Sequence, residues 1–329
     1  MNSVGSSEKK SIDLYLITGQ SNAAGYSIVS DREAAYRWAP ELKSGFSHVH
    51  YAGNARSDPA GARYAYVENR EIGWCQAALG FGVRNDSYIG PEAGMAKALS
   101  KAYNSETGRH AGMIKFTHGG TSLLDSRANG NRHGNWVSPS YAADLGVEFS
   151  DRVPTGGLYR GLLEEVRRQV EALYGYGGFT EFRLKGLYWM QGEGNRMFLS
   201  EYRKAFTFWA NDIRKDLADM MRGIVGGDAC GAEELPIFVG TISATFSLEN
   251  IDTEAELNRP FIEMQKTLGK TIPNCFAVDN SEYAMCCWDA DRNEAVVLGT
   301  DRCHWNQADM LEIGENVGKA MMAVGSGKA

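Results

Sequence analysis

A serine between two amides stands directly after the first apolar run of the chain, in DLYLITGQSNAAGY (residues 13–26). Gly19, Gln20, Ser21 and Asn22 are ordinary turn residues, so a plain turn accounts for them as readily as a reactive serine does. As a nucleophile, Ser21 needs a base, a group to orient that base, and donors for an oxyanion. The chain holds six histidines. His304 follows Asp301 by three residues in DRCH, a spacing that shares one face of a helical turn. Asp301 can then hold one imidazole nitrogen while the other faces Ser21. His110 reads as a surface charge at a helix end. His118 and His133 fall in loops with no carboxylate at comparable spacing. His304 is the preferred base. For donors, Gly119-Gly120 comes straight after the run 111–117, and a missing Cβ lets backbone N–H groups approach a ligand. Gln191 ends the run 182–190 and brings a side-chain amide. With the Ser21 N–H these would form an oxyanion hole. Taken singly, Gly-Gly is a turn and Glu193 an ion-pair partner. Four such motifs in compatible order, each at a strand end, are harder to explain as turns.

Other chemistries fit less well. GQSNA lacks the second glycine of a G-x-S-x-G elbow, and an elbow serine follows several strands rather than the first. Cys303 adjoins His304, and neighbouring side chains diverge. No GxxxxGK[ST] or GxGxxG loop is present. The six cysteines show no CxxC spacing, so a zinc knuckle or a thioredoxin-type site is unsupported. His48 and His50 share a strand face without a third ligand nearby in sequence, which favours a surface or packed pair.

The elements that must position these residues alternate. Residues 12–18, 111–117, 182–190, 235–242 and 275–279 read as buried strands. Residues 91–106, 157–175, 200–221, 254–270 and 307–324 read as helices, the second with Leu158, Leu162, Val166, Val170 and Leu173 on one face. Five strands separated by helices predict an α/β chain with a parallel sheet covered on both faces. Residues 27–90, 121–156 and 280–303 show weak periodicity and read as long loops gathered at the carboxyl ends of the strands, where open α/β sheets bind ligands. We read a flexible segment over 1–11 and one domain over 12–325.

Hydrophobic content of 43%, charged content of 23% and a net charge of −7 describe a soluble globular chain with no footprint for nucleic acid or anionic lipid. No apolar run approaches the roughly 18 residues of a membrane span. The start, MNSVGSSEKKS, has no apolar core, so no signal peptide is visible. The expected compartment is cytoplasmic, or extracellular with a leader removed. Oligomeric state is not legible.

As a set, GQSN (19–22), GPE (90–92), GGTSL (119–123), WMQGEGN (189–195) and DRCH (301–304) resemble the carbohydrate acetylesterases of the SGNH hydrolase superfamily. That group includes acetylxylan esterases of carbohydrate esterase family six and sialate O-acetylesterases. The resemblance runs from about residue 12 to 322. It implies a flavodoxin-like three-layer α/β/α sandwich on a central five-stranded parallel sheet, with no metal or other cofactor. It implies Ser21 as nucleophile, Asp301 and His304 as its partners, and the Ser21 N–H, Gly119 and Gln191 as oxyanion donors. Gln20, Asn22, Gly120 and Glu193 become supporting positions, and Trp305 a substrate-loop residue. The implied substrate is an acetylated carbohydrate, either xylan-derived oligosaccharide or sialic acid. A lipase or thioesterase on the same fold and an inactive carbohydrate-binding homologue are the alternatives. The departures are Ala23-Ala24, the long 27–90 segment and the Cys303-His304-Trp305 surroundings. Trp74, Tyr88, Arg127, Trp136, Trp288 and Trp305 either line a sugar-stacking cleft or pack against the sheet.

Overall fold

The structure is a computed structural model describing residues 10–55, 74–82, 87–124, 134–175, 178–226, 231–246, 251–283, 285, 288–289, 294–295 and 303–327, without the side chains of 54–55, 251–257, 288–289 and 294–295. In chain order the elements are β1 (Lys10–Gly19), α1 (Ser21–Ala24), β2 (Ser27–Ile28), α2 (Arg32–Trp38), α3 (Glu41–Ser44), β3 (Phe46–Ala55), β4 (Cys75–Ala77), β5 (Tyr88–Ile89), α4 (Glu92–Leu99) and β6 (His110–Thr117). There follow α5 (Pro139–Leu145), α6 (Gly157–Gly175), β7 (Phe179–Met190), α7 (Leu199–Val225), β8 (Ile237–Gly240), α8 (Ile251–Thr267), β9 (Cys275–Val278), the short pair β10 (Trp288–Asp289) and β11 (Glu294–Ala295), and α9 (Gln307–Gly325).

Strict alternation makes β1 a central strand. Ile12, Leu14 and Leu16 point into one apolar cluster, while Tyr15 and Ile17 point into another on the opposite face. The first cluster is closed by α6 and α7 through residues such as Val166, Val170, Trp209 and Ile213. The second is closed by α4 and α9 through Met95, Leu99, Ile313 and Val317. Helices therefore cover both faces of the sheet. The helices α4 and α9 touch almost backbone to backbone. A Cβ at Gly94 would lie 2.0 Å from the Leu311 carbonyl oxygen, and one at Gly314 would lie 2.2 Å from that of Pro91.

Among the described residues the main sheet has seven strands in the order β4-β3-β6-β1-β7-β8-β9, where five were expected. The five expected strands keep the doubly wound order 2-1-3-4-5. The other two lie within 27–90: β3 runs parallel to β6, and β4 caps it antiparallel. FSHVHYAGNA hides its strand because Ser, His, Gly and Asn interrupt the apolar alternation of Phe46, Val49 and Tyr51. Three further expectations need correction. The helix over 91–106 stops at Leu99, because the Asn104 side chain accepts the N–H groups of Glu106 and Thr107 and stabilises a turn instead. His110 is the first residue of β6, not a helix end. Lys10 and Ser11, expected to be flexible, belong to β1.

Candidate active site

Three parallel strands stop in register, with Gly19 of β1 opposite Thr117 of β6 and Met190 of β7. Backbone bonds lock the three ends together: the Gln20 N–H donates to the Met190 carbonyl at 3.0 Å and the His118 N–H to the Gly19 carbonyl at 3.0 Å. Only glycine fits at position 19, where φ is +137° and a Cβ would lie 2.1 Å from the Met190 oxygen. The chain turns out of the sheet there and at once forms α1, a single helical turn led by Ser21 and closed by Gly25 in the left-handed region. Ser21 is half-buried, and Asn22 to Ala24 beneath it are buried. Its backbone N–H opens a helix, where donors lack intrahelical acceptors. In a sheet of this order, ligands bind at the switch point between β1 and its neighbour β7.

Two other expected residues reach this corner. A Cβ at Gly119 would lie 3.5 Å from Ser21 Cβ and 3.3 Å from the Tyr26 hydroxyl, so the first loop residues after β6 pass directly beside the serine. Gly120 follows in the left-handed region at φ +67°. The Tyr26 ring in turn stacks on the His304 imidazole, with centroids 4.6 Å apart and planes 12° from parallel. Asn22 ties the histidine segment to the same turn, its Nδ2 donating to the Cys303 carbonyl at 3.0 Å and to Glu193 Oε1 at 2.8 Å. Asp301 lies outside the described residues.

Gln191 sits at the end of β7, buried, with its Nε2 facing three acceptors: Asn195 Oδ1 at 2.8 Å, the Thr121 carbonyl at 3.1 Å and Gln20 Oε1 at 3.2 Å. An amide flip would set three acceptors against its oxygen, so the orientation is fixed by its partners. Asn195 extends the stitch, accepting from the Leu123 N–H and donating to Ser122 Oγ. The loops after β6 and β7 thus brace each other. Glu193 is buried beside them. Burial pushes its carboxyl above the usual range, opposed by its own backbone hydrogen bond, the Asn22 bond and the charges of His304 and Arg196. Among the described residues its Oε2 has no hydrogen-bond partner, nor do Asn22 Oδ1, Gln191 Oε1, Thr18 Oγ1 and Thr117 Oγ1. Buried polar atoms are rarely left so, and these five gather at one end of three adjacent strands.

The GPE segment packs beneath the serine turn. Glu92 accepts the Gly90 N–H with Oε1 and pairs through Oε2 with the fully buried Lys115 at 2.9 Å. The Lys115 ammonium also donates to the carbonyls of Ala24 and Phe81. It therefore fixes the last residue of α1 from below. Burial lowers the Lys115 pKa, and Glu92 opposes that shift.

Three of the aromatic residues take the packed alternative. Trp74, Trp136 and Trp305 are buried, with indole N–H groups donating to the Gln169 carbonyl, Thr121 Oγ1 and the Tyr283 carbonyl. They pack the core and do not line a cleft, because burial of so large a ring with its N–H satisfied outweighs exposure. Tyr88 is half-buried. Arg127 and the Trp288 side chain lie outside the described residues. Two exposed apolar side chains, Met197 and Phe198, follow Glu193 in the loop between β7 and α7 and drew no notice in the sequence. Tyr26, Asn195 and Lys115 were also missed. Tyr26 carried a signal as an aromatic five residues beyond the serine, and Asn195 as the last residue of WMQGEGN.

At the opposite end of the sheet, His48 and His50 do find a third imidazole. His50 Nε2 lies 3.0 Å from His110 Nδ1, and the rings of His48 and His110 stack at 4.7 Å. Among the described residues no group of three or more His, Cys, Asp and Glu side chains is arranged to hold a metal ion. No described helix is long and apolar enough to cross a membrane. A cleft of about 630 Å³ bordered by Leu199, Arg203, Phe208 and Met264 lies on the α7–α8 flank, away from Ser21.

A doubly wound sheet with a serine-led turn at its switch point, a glycine loop against that serine and a histidine segment tied to it defines a class suited to acyl transfer. The chain belongs to the family described as carbohydrate esterase, sialic acid-specific acetylesterase, whose model matches residues 11–323. This is a family of carboxylic ester hydrolases. Among solved structures, NanS is similar over 96% of this chain and 98% of its own, at 16% identity and a TM-score of 0.54. XAC1771, a carbohydrate acetylesterase from Xanthomonas citri, is similar at 17% identity and a TM-score of 0.54, over 96% of this chain and 56% of its own. At these identities the likeness speaks to the fold. No curated protein matches the chain in sequence.

Proposed function

We propose that the protein removes O-acetyl groups from a carbohydrate through a serine-bound acyl intermediate. The observation that carries this reading is the meeting of Ser21, Gly119 and the His304 segment at the end of β1, in a chain of an acetylesterase family. In the mechanism, His304 takes the Ser21 proton as Ser21 Oγ attacks the acetyl carbonyl. The N–H groups of Ser21 and Gly119 receive the oxyanion. Gln191 joins them by releasing its longest contact, the 3.2 Å bond to Gln20. The protonated His304 then gives its proton to the departing sugar alkoxide, and water repeats the sequence to release acetate. Asp301, three residues before His304, is assigned the orientation of the imidazole. The exposed Phe198 and Met197 in the loop between β7 and α7 supply apolar surface for a sugar face.

The test is hydrolysis of a chromogenic acetyl ester by wild type, Ser21→Ala and His304→Ala. Each substitution should lower kcat by roughly 10⁴-fold or more without changing the melting temperature. Hydrolysis that survives Ser21→Ala would remove the nucleophile. A series of acetyl, butyryl and octanoyl esters separates an acetylesterase from a lipase. Acetate release from a panel of acetylated xylo-oligosaccharides and sialic acids identifies the sugar.

A further inference from the structure

We propose that Tyr26 is a positioning residue for the base, holding the His304 imidazole by face-to-face stacking and favouring its protonated form during the reaction. The inference rests on the acyl-transfer reading of Ser21 and His304 given above. It starts from the stacked rings, with centroids 4.6 Å apart and planes 12° from parallel. An aromatic face carries the negative part of the ring quadrupole and attracts a cation held over it. His304 is neutral before each proton transfer and an imidazolium after it. A contact that is stronger for the imidazolium acts on the transition state more than on the ground state, and so raises kcat rather than affinity.

The ring is placed to do this because both of its ends are fixed. Its backbone leaves α1 at Gly25, where a Cβ would lie 2.6 Å from the Gly90 nitrogen. It then enters β2, which pairs with β5 through Ser27–Ile89 and Ile28–Tyr88. The hydroxyl end reaches the Gly119 backbone, 3.3 Å from where a Cβ would stand. Between these supports the ring packs with Ala24 and Tyr88. Ser21 and Tyr26 thus sit at the two ends of one short turn. The nucleophile opens α1 and the support for its base follows two residues past its end, although the base comes from the far end of the sequence. Asn22, on that turn, holds the adjoining Cys303 carbonyl. The histidine segment is gripped at its backbone by Asn22 and at its ring by Tyr26.

The experiment compares Tyr26→Phe, which keeps the ring, with Tyr26→Leu, which removes it. Kinetics on the acetyl ester are read together with NMR of histidine-labelled protein, in which His304 is assigned by its loss in His304→Gln. Tyr26→Leu should lower kcat about 5- to 30-fold while KM stays within about twofold. Tyr26→Phe should keep kcat within about threefold of wild type. The His304 ring protons should sit upfield in wild type and Tyr26→Phe, shielded by the stacked ring, and move downfield in Tyr26→Leu. A Tyr26→Leu enzyme with wild-type kcat overturns the proposal. So does a Tyr26→Phe enzyme as slow as Tyr26→Leu, since the hydroxyl and not the ring would then matter. His304 ring protons that are unshielded in wild type overturn it without any Tyr26 variant. Loss of the acyl-transfer reading shows separately, as hydrolysis that persists in Ser21→Ala.

Discussion

The two ends of the central strand treat buried polar groups in opposite ways. At the amino end, Asp13 is 1% exposed and fully engaged, accepting from Arg183 at 2.7 Å and from Arg109 and the Tyr103 hydroxyl at 2.8 Å. Tyr103 also meets the Tyr15 hydroxyl. At the carboxyl end, Glu193 is as deeply buried, but among the described residues it has no ion pair and four neutral atoms around it lack partners. The first arrangement satisfies its charges within the fold. The second holds polar atoms out of water and leaves them under-used, as a site that must engage a ligand does. The same strand carries both, so the difference lies in what each end is for.

The largest effect that separates the ends falls on Gln191. Gln191→Ala should lower kcat on the acetyl ester roughly 100- to 1,000-fold, the loss of one oxyanion donor. The melting temperature should fall as well, because Asn195 Oδ1 and the Thr121 carbonyl lose a donor. Gln20→Ala removes the contact that Gln191 is proposed to release together with a long 3.4 Å bond from the Gly194 N–H, and should be the milder of the two. Equal losses in both variants would show that Gln191 acts by bracing the loops and not by donating to the oxyanion.

At the other end the effect should be on stability alone. Asp13→Asn leaves two guanidinium groups facing each other with one neutral acceptor between them. Breaking a buried pair costs about 3–5 kcal/mol, but both arginines are 48% exposed and water compensates part of the loss. A decrease of about 2–3 kcal/mol in unfolding free energy is expected, with kcat of the folded enzyme unchanged. A kcat change in Asp13→Asn larger than that of Gln20→Ala would break the division between the two ends.

The sequence made this division only partly legible. Long helices such as α6, α7 and α9 announce themselves because a 3.6-residue apolar stripe survives over many turns. The strand β1 was legible as an unbroken apolar run, and Ser21, Gly119 and Gln191 as polar residues placed where such runs stop. The strand β3, second from the sheet's edge, was not, since it buries one face lightly and spends its other positions on His, Ser and Asn. Tyr26 and Lys115 were not, because each acts through contacts that only folding creates: the Tyr26 ring with a histidine from before the last helix, the Lys115 ammonium with Glu92 and Ala24. The tryptophans stayed open between cleft and core for a related reason. An indole reads alike in a cleft and in a core until its N–H is seen to have a partner.

The smallest expected effect, and the sharpest test of the contrast, is in the pH dependence of stability. His50, near the amino end, is held down from 6.5 to about 4 by burial and then by His110 and His48. Between those values the unfolded chain binds a proton that the folded chain does not, so His50 makes stability fall as pH drops through the window. The full shift corresponds to about 3 kcal/mol, reduced to about 1–3 by the partial exposure of the ring. Glu193 works in the other direction. Burial raises its carboxyl above its ordinary 4.5, so above that pH the unfolded chain releases a proton that the folded chain still holds, and stability falls as pH rises. Wild type should therefore be most stable where the two slopes balance. In thermal unfolding from pH 4 to 8, His50→Gln should flatten the acid limb. Glu193→Gln, whose amide oxygen still accepts from Asn22, should flatten the opposite one and raise stability above pH 4.5. Glu193→Gln should also slow the enzyme, because a neutral amide is a weaker acceptor for Asn22, which holds the Cys303 carbonyl beside His304. Gained stability with lost turnover in that single variant would mark the carboxyl end as strained for function, whereas a loss of both would make Glu193 a structural residue like Asp13.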